Sequence, residues 1–249
     1  MASTRDRIGL RVQEAISQAL IPFTYHSLVA WMRWQGYGIA GLTAARASFE
    51  AEAGQAAGPL LIFANHLTLI DSLFIQWAMA PWWRLLLEPR RFTWNLPDRQ
   101  NISRPRWVRV LCYVGKCVPV VRKATPEETR RLLDKVAFLL SRGQTVLVFP
   151  EGGRSRVGHV DTENFSYGIG RMLQETPEAR VVCAYLRGRG QQAYSDYPRP
   201  GETLVLRFRR MAPVTTFQGM RGARDLATQV VMQLSDMERE AFEDGLLDR

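Results

Sequence analysis

This sequence predicts an α/β fold: a central mixed sheet flanked by helices, with an N-terminal amphipathic helical pair. Three observations point there. Short apolar runs alternate with longer segments of helical periodicity from about residue 60 onward. The sharpest of these runs stop abruptly at Asn65-His66 and at Glu151-Gly152, as strands do where they leave a sheet. One segment carries a full set of helix start and stop signals.

The elements follow in order. Residues 1–40 read as helical, with a break near Pro22. Residues 44–51 read as a strand, and "AGQAAG" after it as a turn-rich connector. "LLIFA" (60–64) is a buried strand, since it is apolar throughout. "SLFIQWAMA" (72–80) is a helix stopped by Pro81. "WRLLLE" (83–88) and "CVPVVR" (117–122) read as short strands. The clearest helix comes next. Thr125 is its N-cap, Pro126 its first residue, and Glu128 completes a capping box. Leu132, Leu133, Val136, Leu139 and Leu140 make its apolar face, and Gly143 ends it. "TVLVFPEGG" (145–153) is a strand entering a glycine loop. "NFSYGIGRMLQE" (164–175) is helical despite two glycines. "RVVCAYLRG" (180–188) and "ETLVLRFRR" (202–210) are strands, and 222–244 is a closing helix.

The 249 residues suffice to bury a sizeable core. Charge is less ordinary: 33 Lys and Arg stand against 24 Asp and Glu, for a net +9. Such a surface attracts polyanions, whether lipid headgroups, nucleic acid or phosphorylated substrates. The three cysteines, Cys112, Cys117 and Cys183, lack zinc spacing and read as reduced thiols of a cytosolic protein. The N-terminus is too interrupted by charge for a signal peptide. Ala15–Met32 has no Asp, Glu, Lys or Arg. Its serines, threonine, histidine, glutamine and proline favour an amphipathic segment lying on a membrane or on the domain, rather than a span.

Three stretches have the residues for chemistry. His66, one of only three histidines, ends an apolar strand with Asp71 five residues on. A neutral imidazole can take a proton from a hydroxyl, and a carboxylate can fix its tautomer. Five residues turn a helix by about 500°, so the two side chains meet only if a turn separates strand and helix. For an isolated pair of this kind, a histidine capping the next helix is the plainer reading. "FPEGGRSR" (149–156) offers glycine amides and Arg154 to an anion, with Glu151 able to orient a hydroxyl. "GKCVPVVRK" (115–123) ends in Arg122, which can meet Arg154 around a phosphate. Taken singly, each of these is as readily a solvated basic turn.

In this order and spacing the three resemble the glycerolipid acyltransferases of the lysophosphatidic acid acyltransferase family. Asn65-His66-x4-Asp71 matches the first block of that family. Gly115-x3-Pro119-x2-Arg122 resembles the second, and Phe149-Pro150-Glu151-Gly152-Gly153-Arg154-Ser155 the third. The likeness spans about residues 44–190. It implies an N-terminal membrane-associating segment (1–43) and an acyltransferase domain (44–249). His66 would be the general base, and Asp71 its orienting partner. Arg122, Glu151, Gly152 and Arg154 would bind an acceptor resembling a lysophospholipid. The acyl donor would be acyl-CoA or acyl-carrier protein as co-substrate, with no cofactor and no metal. The implied setting is peripheral, on the cytoplasmic face of a bacterial inner membrane, with membrane lipids as partners.

The sequence also departs from the family. Gly153 stands where a threonine is usual, and "VVCAYLRG" lacks the proline of the fourth block. "TWNLPDRQN" (93–101) replaces a Lys-Glu-Leu stretch. These changes leave the His66–Asp71 chemistry intact and bear on the acceptor and acyl chain. An acceptor other than a glycerophosphate, or a polyene acyl group, is the alternative within the same mechanism. A basic non-catalytic module that binds membranes or nucleic acid is the alternative of another class.

Trp77, Trp82, Trp83, Trp94 and Trp107 fall among Arg84, Arg90, Arg91, Arg99, Arg104, Arg106 and Arg109. Tryptophan beside arginine suits a lipid headgroup layer, and packing in the core is the competing reading. Nucleic acid is disfavoured because no nucleic-acid-binding motif accompanies the charge. His159, with Asp161 nearby, reads as a solvent-exposed loop histidine, and His26 as lying on the polar side of a helix.

Overall fold

All five residues of the 60–64 run are buried, and they form a central strand of a six-stranded sheet. The computed structural model describes residues 1–54, 58–102, 105–121 and 124–248 of the chain. In chain order the elements are α1 (Thr4–Trp34), β1 (Gly38–Ile39), α2 (Leu42–Ala53), β2 (Leu60–Ala64), α3 (Asp71–Met79) and α4 (Trp82–Leu87). A 3-10 turn at Pro89–Arg91 leads to β3 (Trp94–Asn95), α5 (Arg99–Ile102), α6 (Arg106–Val114), α7 (Pro126–Ser141) and β4 (Thr145–Val148). Then come α8 (Gly168–Glu175), β5 (Arg180–Gly188), β6 (Thr203–Met211) and α9 (Gly219–Glu243).

The strand order is β1-β6-β5-β2-β4-β3. Only β5 and β6 are antiparallel; the other pairs are parallel, so the sheet is mixed, as expected. Alternate residues of β2 feed two cores. Leu61 and Phe63 pack with residues of α7, α8 and α9, while Leu60, Ile62 and Ala64 pack with residues of α1, α2 and α3. Burial on both faces is why β2 reads as an unbroken apolar run.

The signals at α7 are realised in full. Thr125 accepts from the Glu128 amide, the Glu128 carboxylate accepts from the Thr125 amide, and Gly143 closes the helix at φ 71°.

Four segments differ from the expectation. Residues 44–51 belong to helix α2, where Ala45, Phe49 and Ala53 form a buried stripe at four-residue spacing. Its alanines and glutamates are strong helix formers. Helix α1 runs unbroken through Pro22, so the N-terminal helical pair is α1 with α2 and not two halves of residues 1–40. Leu10, Ile21 and Met32 of α1 are buried, and this packing offsets the missing amide. Residues 83–88 lie largely in helix α4, because a short apolar run does not distinguish the two periods. In 117–122, Cys117 and Val120 make only isolated bridges, to Asn95 and Asp98, and Pro119 has no amide to extend a ladder. Arg122 and Lys123 lie outside the described residues.

A buried polar cluster ties α1 to the sheet. Lys116 is wholly buried, and its Nζ donates to the carbonyls of Pro89 and Phe92 and to Gln144 Oε1, at 3.1, 3.2 and 3.2 Å. Trp94 also donates to Gln144 Oε1, and Gln144 donates to Glu14 of α1 at 2.7 Å. Burial brings the Lys116 pKa down to about 8, and Glu14 opposes that shift.

One glycine of α8 has a packing reason. A Cβ on Gly170 would land on the carbonyl of Ala223 in α9. We expect Gly170→Ala to destabilise the protein by about 1–3 kcal/mol, the usual cost of overpacking, despite alanine's better helix propensity. Urea unfolding of the two proteins measures it; equal or greater stability in the variant would refute the close approach.

Candidate active site

β2 and β4 run parallel with Phe63 level with Val148. His66 and Glu151 each lie three residues beyond, and so leave the sheet side by side. The His66 backbone amide donates to Glu151 Oε1 at 3.3 Å. The imidazole stacks on Phe149, with ring centroids 4.1 Å apart and planes at 18°. On the other side β5 is held by Asn65. Its side-chain amide donates to the Leu186 carbonyl, and its side-chain carbonyl accepts from the Leu186 amide, both at 2.8 Å. The edge formed by three adjacent parallel strands therefore carries the site, where open α/β sheets place theirs.

Between Ala64 and Asp71 the chain makes a turn, and Asp71 is the first residue of α3. His66 and Asp71 do meet: Nδ1 lies 3.0 Å from Asp71 Oδ2. That oxygen also accepts from the amides of Leu67 and Thr68, at 2.7 and 2.8 Å. The other, Oδ1, accepts from the Thr68 hydroxyl at 2.5 Å. A carboxylate that takes so many donors is an acceptor toward His66 as well. Nδ1 thus carries the proton, and Nε2 keeps a lone pair. Asp71 is buried, while the His66 side chain retains 16 % exposure. Helix α3 also favours a negative charge at its first residue.

Glu151 adds a second carboxyl group. Burial pushes its pKa up to about 8, against the His66 amide that favours the charged form; Asp161, Asp71 and Glu238 raise it further. Its Oε2 is buried and makes no hydrogen bond. A protonated Glu151 at neutral pH is therefore a donor beside His66, suited to an oxygen of a bound substrate.

Gly152 is exposed at φ 63°, in the turn closed by its own amide on the Phe149 carbonyl at 3.1 Å. Arg154 lies on the same loop but is engaged. Nη1 donates to the Ser195 carbonyl at 2.9 Å and to Asp196 Oδ1 at 2.5 Å. The 195–196 segment in turn pairs with the Leu67 carbonyl and the Leu69 amide, so Arg154 clasps a loop over the His66 turn. The expected meeting of Arg154 with Arg122 falls outside the described residues.

Three residues in the site carried no role from sequence. Asn65, Thr68 and Phe149 respectively hold β5, hold Asp71 and support the imidazole. Asn65 and Phe149 stood within the quoted motifs, but their partners are 121 and 83 positions away. Only Thr68, three residues before Asp71, gave a local signal, that of a hydroxyl beside a helix start. The rival histidine behaves as expected. His159 is exposed and turns Nδ1 to the Val160 carbonyl, while Asp161 accepts from the amides of Glu163 and Asn164. Among the described residues no cluster of three or more His, Cys, Asp or Glu is arranged to hold a metal ion.

The family model described as Acyltransferase matches residues 46–187, more than half of the chain. No curated protein matches it.

The raised Glu151 pKa has a consequence for stability. Between about pH 4.5 and about pH 8 the folded protein holds a proton that the unfolded chain has lost, so stability falls as pH rises across that window. We expect Glu151→Gln to flatten this fall. Thermal unfolding midpoints of both proteins across the window test it, and parallel curves would show that Glu151 ionises normally.

Proposed function

The chain belongs to the acyltransferase family, and from that premise we propose that it is an O-acyltransferase acting on a lysophospholipid-like acceptor. The acyl donor is the thioester of acyl-CoA or acyl-carrier protein. The observation that carries the reading is the His66–Asp71 pair at the sheet edge, with Nδ1 committed to the carboxylate on a side chain that keeps 16 % exposure. In this mechanism Nε2 takes the proton of the acceptor hydroxyl as its oxygen attacks the thioester carbonyl. Asp71 stabilises the imidazolium that results. The tetrahedral intermediate then expels the thiolate, which recovers the proton from His66. No acyl-enzyme forms. Glu151, Gly152 and Arg154 line the acceptor side, and Arg122 is the further phosphate ligand of this reading.

The second reading keeps the chemistry and changes the acceptor. Arg154 is already paired with Asp196, and Gly153 lacks the hydroxyl usual at its position. Both favour an acceptor without a glycerophosphate.

We also propose attachment to the cytoplasmic face of the inner membrane. Among the described residues no helix is long and apolar enough to cross a bilayer. The tryptophans divide: Trp77 and Trp94 are core, while Trp83 and Trp107 are exposed. On α6, Trp107, Val110 and Leu111 are exposed beside Arg106 and Arg109, with no carboxylate on the helix. That composition suits an anionic headgroup layer.

His66→Ala should lower acyl transfer by at least ~100-fold while leaving the fold intact, as loss of a general base does. Release of free thiol, with products identified by mass spectrometry across a panel of lysophospholipids, measures it. Near-full activity would sink the mechanism. Arg154→Ala should raise KM for a phosphate-bearing acceptor; an unchanged KM selects the second reading. Trp107→Ser with Leu111→Ser should reduce flotation with phosphatidylglycerol vesicles, and undiminished flotation would remove α6 from the membrane contact.

A further inference from the structure

Helix α6 ends in a Schellman turn, and its two diagnostic positions are both cysteines. The Cys117 amide donates to the Cys112 carbonyl at 2.9 Å, and the Lys116 amide to the Tyr113 carbonyl at 3.2 Å. Lys116, between them, has φ 52° and is the only non-glycine residue among those described in the left-handed region. Glycine is usual there, and a side chain costs about 1 kcal/mol or more. The anchoring of the Lys116 ammonium by Pro89, Phe92 and Gln144 holds the conformation in place. Side chains at these two positions frequently pack together in such a turn, and here both carry thiols.

The Cys117 Sγ donates to the Gly115 carbonyl at 3.8 Å, within the same turn. The neighbouring Cys117 holds the Cys112 thiol down at about 7, while Cys112 and burial push the Cys117 thiol up. Cys112, the more acidic and the less buried of the two, is thus the nucleophile. A 2.9 Å amide–carbonyl contact keeps the two Cα atoms within about 7 Å, inside the reach of a disulfide. Both cysteines line a cavity of about 550 Å³ that Arg106 and Arg109 also line. A small anionic reagent has both room and attraction there. Cys183, by contrast, is wholly buried in β5.

We propose that Cys112 and Cys117 form a reversible thiol–disulfide site that takes anionic low-mass disulfides as its oxidant. The Cys112 thiolate attacks one sulfur of the oxidant, giving a mixed disulfide and releasing one small thiol. Cys117 then loses its proton to solvent and attacks the Cys112 sulfur, releasing the second small thiol. The protein gives up two thiol hydrogens and two electrons, and the oxidant becomes two thiols. The new bond locks the end of α6 onto the segment carrying Val118 to Val120.

The full chain, reduced and desalted, is incubated with oxidised glutathione and quenched with acid. Trypsin cuts after Arg109, Lys116 and Arg122, so the bridge appears as peptides 110–116 and 117–122 held together. We expect this linked pair, no retained glutathione, and an unmodified Cys183. Cys117→Ser should retain one glutathione on Cys112, and Cys112→Ser should react at least ~10-fold more slowly. A stable glutathione adduct on the natural chain, or no reaction at 112 and 117, overturns the proposal. Should either serine variant fail to fold, the linked peptides from the natural chain decide alone.

Discussion

One buried carboxylate organises the site. Asp71 accepts from two backbone amides, a hydroxyl and an imidazole, all within the six residues that begin at His66. Unpartnered, that charge would be costly at this depth; satisfied, it dictates the path of the turn. The same four bonds fix which nitrogen of His66 carries its proton. Local structure and chemical competence therefore have a common cause.

The sheet supplies the rest by register. Because β2 and β4 are level, the residues that follow them emerge in matched positions, and His66 meets Phe149 and Glu151 without any motif of its own for doing so. Asn65 locks β5 to the same edge through a two-way amide bond. Above this edge Arg154 and Asp196 hold a loop against the His66 turn, and Glu151 waits beneath with a buried oxygen that nothing satisfies. A polar substrate oxygen would complete that carboxyl.

Helix α6 stands apart from this close packing. Val114 is its one buried residue, yet its final turn is strongly constrained, because Lys116 is drawn into the protein by three acceptors. An exposed apolar helix with a rigid end is a sound way to present surface to a partner without loosening the domain behind it. The Lys116–Gln144–Glu14 chain carries the constraint on to α1, so the two helices at the candidate membrane face share one polar anchor.

Much of the site was legible in the chain. The strand exit at Asn65-His66 and the capping box of α7 were read where they lie, while the exit expected at Glu151-Gly152 falls three residues earlier, after Val148. Short apolar runs were less legible. Residues 83–88 lie largely in a helix, because at that length a strand and a buried helix have the same composition, whereas 44–51 is a helix that its alanines and glutamate favour. Pro22 was a sound local warning that the packing of Ile21 and Met32 overrode. The sequence by itself determined most of the alternation of elements and, through three ordered motifs, the family; it made the pairing of His66 with Asp71 conditional on a turn that the structure supplies. Only the tertiary structure decided that Glu151 is buried beside the imidazole, that Arg154 is held by Asp196, and that an exposed helix ends in a turn with a cysteine at each flank. Each of those depends on burial or on partners distant in sequence, or on a left-handed lysine that no local rule favours.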